Sequence, residues 1–88
     1  MNIYLVKTTH NIAASQALQS AVNNAALAVV TIEEGFDDQY KSLRATGIQS
    51  IPSVVAIHEG VLVHQTDSPS GLASFQADAE ARLAEIES

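Results

Sequence analysis

The chemistry open to this chain is limited first by what it lacks, since none of its 88 residues is a cysteine. Disulfide exchange needs an attacking thiolate and a resolving thiol, so that two-electron chemistry is excluded, together with thiolate metal sites and structural disulfides. Three histidines remain. His58 and His64 flank Glu59-Gly60, and a two-residue turn there pairs His58 with Val61 and Val55 with His64. That register sends the imidazoles to opposite faces and rules out joint metal ligation. Glu33, Glu34, Asp37 and Asp38 surround Gly35-Phe36, but their spacing fits no calcium loop, and two of them suit helix capping. Ser68, Ser70 and Ser74 have no histidine at an informative spacing and read as caps and solvated hydroxyls. No metal and no cofactor is expected. His10, in Thr8-Thr9-His10-Asn11, is the remaining candidate, and the sequence places no carboxylate or serine to complete a catalytic set around it.

These residues need elements to hold them. Asn2 to Lys7 is β-branched and aromatic and ends at the capping cluster Thr8 to Asn11, which predicts a strand running into a helix. Ile12 to Asn24 carries Ala14, Leu18, Ala21, Val22 and Ala25 at helical spacing. The short apolar run Ala28 to Ile32 reads as a second strand, parallel to the first through a right-handed crossover. Asp37-Asp38 opens a helix carrying Tyr40 and Leu43, and Gly47 suits the left-handed position just past its end. After Ser50-Ile51-Pro52, the runs Ser53 to His58 and Val61 to Gln65 form an antiparallel hairpin across Glu59-Gly60. Asp67-Ser68-Pro69 then caps a helix whose stripe is Leu72, Phe75, Ala79, Leu83 and Ile86. The order is βαβαββα, an α/β fold in a single domain spanning residues 1–88.

Ten acidic residues against four Lys and Arg give a net charge of −6, which repels phosphate backbones, so nucleic acid is excluded as a partner. The apolar stretch near the start, Ile3 to Val6, is far too short for a signal segment or a membrane span. A soluble, cytoplasmic protein is expected.

The order of elements, and above all Leu43-Arg44-Ala45-Thr46-Gly47-Ile48-Gln49-Ser50-Ile51-Pro52-Ser53-Val54-Val55, resembles the minimal thioredoxin/glutaredoxin core: a helix end, a glycine, the approach to the family's cis-proline, and a hairpin. The resemblance implies a cis Ile51-Pro52 bond and a four-stranded mixed sheet ordered 2-1-3-4. Helices one and three would cover one face and helix two the other. It also places the family's Cys-x-x-Cys in Thr9 to Ala14, the first cysteine falling on His10 or Asn11 and the second on Ala13 or Ala14. The glycine pair that many glutaredoxins carry after the last strand is replaced by Asp67-Ser68-Pro69-Ser70, so glutathione binding is not implied. On the same resemblance His10 stands at a helix N-terminus facing Pro52, where exposed N–H groups attract anions.

The expected function is that of a redox-inactive, non-catalytic module binding a protein or peptide partner. The recognition surfaces are the groove of Thr9, His10, Asn11, Ile51 and Pro52, and the two sheet edges at Val30 and Val63. Neither edge run contains a Lys, a Pro or an inward charge, so a partner strand or a second copy is expected to cover one of them. Lysine at Val30 or Val63 is the test of each edge. The alternative is a small enzyme or ligand binder that uses the His10/Pro52 groove for an anion or a thiol compound.

Overall fold

The computed structural model describes residues 1–35 and 38–88. The elements are β1 (Asn2–Lys7), α1 (Ile12–Asn24), β2 (Val30–Glu33), α2 (Asp38–Ala45), β3 (Ser53–His58), β4 (Val61–Thr66), a 3-10 turn (Pro69–Gly71) and α3 (Phe75–Glu87). The strands form one mixed sheet ordered β2-β1-β3-β4, in which β2 is parallel to β1 and β3 is antiparallel to both β1 and β4. The expected role of Asp37 at the start of α2 lies outside the described residues. Among those residues no helix is long and apolar enough to cross a membrane.

The period-two alternation of β1 and β3 divides the core in two. Ile3, Leu5, Val54, Ala56 and Val63 face α1 and α3, where they meet Leu18, Val22, Leu72, Phe75 and Ala79. Val6, Val55, Ile57 and Ile32 face the opposite way and are covered by Leu43 of α2 and Ile48. Five consecutive residues of β3 from Ser53 to Ile57 are therefore buried, which explains why that strand reads as a continuous apolar run.

The exit of α1 shows how local sequence closes the crossover. The Leu27 N–H bonds the Val22 carbonyl at 3.2 Å and the Ala26 N–H bonds the Asn23 carbonyl at 3.2 Å, a double-bonded helix terminus with Leu27 and Val22 in one apolar cluster. The residue that must turn left-handed is Ala26, at φ 54°, where glycine is the usual choice. Ala26→Gly is expected to raise stability by about 0.5–1 kcal/mol despite removing a methyl group. Urea denaturation of the two proteins checks it, and a fall in the midpoint would contradict the left-handed cap.

Four expectations are corrected. The second strand starts at Val30 rather than Ala28, because Leu27 and Val29 leave the Ala26 turn packed on the α1/α3 core before pairing with β1 begins at Tyr4 and Val30. The last helix starts at Phe75. Pro69 to Gly71 make a separate 3-10 turn, Leu72 drops into the core between the two, and Ile86 stays exposed. The β3–β4 register also slips: Ile57 pairs with Leu62, but Ala56 pairs with His64, leaving Val63 as an extra, bulged residue. His64 therefore stands on the α3 side of the sheet, its ring 5.0 Å from that of Phe75, and His58 reaches Glu87 of α3 at 3.3 Å. The two imidazoles do not point to opposite faces. Finally, Val63 is only 4% exposed, so its side chain belongs to the core and only its backbone to the β4 edge.

Candidate functional site

β1 and β2 run parallel and end side by side, with Lys7 opposite Glu33. The carboxyl ends of neighbouring parallel strands, next to the start of the following helix, are where α/β sheets open a crevice. Such a crevice is present here. A cleft of about 160 Å³ is lined by Lys7, Thr8, Thr9, Ile12, Ser15, Gln16, Glu33 and Glu34.

The turn from β1 into α1 is held by its own polar groups. Ser15 Oγ donates to the Thr8 carbonyl and accepts from the Thr8 N–H, both at 3.1 Å, and both residues are buried. Thr8 Oγ1 accepts from the His10 N–H at 3.1 Å. Asn11 caps the helix through Oδ1, which accepts from the Ala14 N–H at 3.1 Å. The hydroxyl of Ser15 and the carboxamide oxygen of Asn11 are thus committed to the backbone, and neither is placed as a nucleophile or base.

Ser15→Ala would leave a buried N–H and carbonyl without their partner, at a cost of about 1–3 kcal/mol. Thermal unfolding measures this loss, and hydrogen exchange at Thr8 should accelerate with it. Unchanged exchange at Thr8 would show that the serine clamp does not hold the turn.

The sequence-derived groove residues are distributed as follows. Thr9 lines the cleft. The His10 side chain is 84% exposed and turns toward the end of β2, with Nε2 3.7 Å from Glu34 Oε1. Asn11 serves as the helix cap. Ile51 packs against the α2-side core and Pro52 is buried, with the Ile51–Pro52 bond cis, as the resemblance implies. Ser53, the next residue, is fully buried and its hydroxyl finds no hydrogen-bond partner among the described residues. The cleft beside Thr9 is completed by Glu33 and Glu34, not by Ile51 and Pro52.

Lys7, Ile12, Ser15, Gln16, Glu33 and Glu34 do not belong to the sequence-derived groove, and the two glutamates enter the sequence reading only as a carboxylate cluster unsuited to calcium. A signal for the two glutamates was present in their position just past the second strand of a parallel βαβ unit. Ile12 is the chemical oddity of the group, an aliphatic side chain 59% exposed on the first turn of α1.

Of the edge candidates, Val30 is 54% exposed on β2, and Val61, rather than Val63, is the exposed apolar side chain of β4, at 50%. The described residues contain no group of three or more His, Asp or Glu side chains placed to hold a metal ion. Comparison with protein-family models, curated proteins and solved structures gives no match to this chain.

Proposed function

We propose that this chain is a redox-inactive, thioredoxin-like module whose activity is to bind a protein partner. The fold part of the reading rests on the β2-β1-β3-β4 order, the α1/α3 and α2 layers, and the cis Ile51–Pro52 bond just before β3. The functional part is carried by one observation. At the β1–α1 turn, where such a fold keeps its redox pair, this chain has no thiol: Asn11 caps α1, the Ser15 hydroxyl clamps the Thr8 backbone, and the exposed His10 imidazole has Glu34 beside it. The hydrogen bonds that hold the turn support its use as a binding surface.

The reading predicts that the purified protein neither reduces insulin disulfides nor accepts electrons from a thioredoxin or glutaredoxin reductase, because its sulfur is confined to Met1. Turnover above a buffer blank overturns it. The binding half is tested by affinity capture under native conditions, followed by titration of the captured protein, purified, against this chain. Absence of any saturable complex would count against a binding module.

The alternative of an anion or thiol ligand at His10 and Pro52 has less support. The Glu34 carboxylate already lies beside the His10 imidazole, so an incoming anion would meet like charge.

A further inference from the structure

Resting on the binding-module reading, we infer that the free edge of β2 takes up an extended segment of a basic partner, antiparallel to β2, with a Lys or Arg of that segment seated at the Glu33/Glu34 cleft. The hydrogen-bond ladder fixes which groups are available. The Glu34 N–H, just past β2, bonds the Lys7 carbonyl at 2.9 Å, so the backbone groups of Val30 and Ile32 face β1 in the same way. Alternation along the strand then leaves the N–H and C=O groups of Thr31 and Glu33 directed outward, at an edge with no neighbouring strand among the described residues.

The side chains along that edge grade from apolar to acidic. At its start are Val30, 54% exposed, and a shallow groove shared by Met1, Ala28, Val29 and Val30. At its end are Glu33 and Glu34, which line the cleft together with exposed Ile12 and Gln16. Lys7 is the ammonium of that cleft, so two carboxylates against one leave it negative. A Lys or Arg side chain combines an aliphatic stem with a charged head, which matches Ile12 followed by paired carboxylates.

Orientation follows from the ladder. A residue directly opposite Glu33 on an added strand carries its side chain on the same face as Glu33 and Lys7, the face of α1 and the cleft. In an antiparallel segment, basic residues at its N-terminal end meet the glutamates and the apolar residues that follow meet Val30. A second copy fits this edge poorly. Its own β2 and the residues on either side, Val29 to Glu34, contain no cation, and it would bring together two chains of net charge −6.

The probe is the synthetic peptide acetyl-Lys-Arg-Val-Thr-Val-Thr-amide, with Arg designed to lie opposite Glu33, titrated into the whole protein and followed by amide chemical shifts and calorimetry. Saturable binding with shifts concentrated at residues 30–34 is expected. N-methylation of the peptide at Arg and the first Thr, the residues bonding the edge, should weaken binding by about tenfold or more, since it removes edge donors and leaves the charge intact. Replacing Lys-Arg by Glu-Glu should weaken it comparably, and Glu33→Lys with Glu34→Lys should reverse that preference. No binding of the basic peptide, or equal binding of its N-methylated form, overturns the inference, as does a concentration-dependent doubling of mass that excludes the peptide. A captured partner that binds the double variant undiminished overturns the edge while leaving the module reading standing. Peptide binding at residues 30–34 without any saturable host partner does the reverse.

Discussion

Phe75→Ala should reduce the stability of this domain by about 3–5 kcal/mol, enough to leave a substantial fraction unfolded if the domain sits near the low end of the usual 5–15 kcal/mol range. Among the described residues Phe75 is the largest fully buried side chain, and it opens α3 just after the break that separates the helix from the 3-10 turn. Its ring sits in the cluster formed by Leu5, Leu18, Val54, Ala56, Val63 and Leu72, so it joins β1, β3, β4 and α1 to the last helix. It also forms the apolar floor beneath His64, with ring centroids 5.0 Å apart and an interplanar angle of 41°. Truncation removes the transfer energy of the ring and leaves a cavity that four different elements would have to collapse to fill. Ile86→Ala is the matched comparison within the same helix, because Ile86 is 54% exposed and should change stability by no more than about 0.5 kcal/mol. Denaturant titration followed by far-UV circular dichroism separates the two, and equal losses would mean that α3 is rotated relative to the packing described here.

Both residues belong to the same 3-4-4-3 stripe in the sequence, and this is where periodicity stops being informative. The spacing of Leu72, Phe75, Ala79, Leu83 and Ile86 identifies one face of a helix but not where the sheet beneath it ends or where the helix begins. The start is decided by interactions invisible to periodicity. Thr66 Oγ1 accepts from the Ser68 N–H at 3.2 Å, and the Ser68 and Pro69 carbonyls close the 3-10 turn. Elements with several agreeing signals were legible to the residue: β1, α1 and β3 have the bounds expected of them, and the turn at Glu59-Gly60, with φ of 51° and 79°, is the tight hairpin its Gly suggests.

The candidate site was less legible. Thr9, His10 and Asn11 could be located because capping residues mark a helix start, but the partners that complete the cleft come from β2, and a one-dimensional pattern does not say which neighbouring strand supplies them. Ser15 was hidden for a related reason. A hydroxyl within an otherwise small, alanine-rich stretch looks like a solvated surface residue until the loop folds back to place the Thr8 backbone against it.

The bulge in β4 gives the other large effect. Val63→Lys should abolish cooperative folding or cost several kcal/mol, whereas Val61→Lys, two residues away on the same edge strand, should stay within about 0.5 kcal/mol of the parent. Both positions are apolar β-branched residues on an unpaired edge, so strand position alone does not separate them. Burial does: Val61 is 50% exposed beside the hairpin turn, while Val63 is 4% exposed among Val54, Ala56, Phe75 and Ala79. An ammonium at Val63 would have to enter that cluster, where no carboxylate is present to pair with it, or drag β4 off β3 to reach water. The bulge sharpens the contrast, because it sets His64 opposite Ala56 and leaves Val63 as the extra residue beside it, so that both side chains lie on the α1/α3 side of the sheet. Bulges also serve as protection against edge-to-edge pairing, so β4 is the guarded edge of this sheet and β2, with Val30 exposed and its outward groups at Thr31 and Glu33, the open one. Thermal melts of the two lysine variants decide the matter. A folded, cooperative Val63→Lys with a near-parental midpoint would show that residue 63 does not face the α1/α3 core, and would return the β4 edge to consideration as a docking strand.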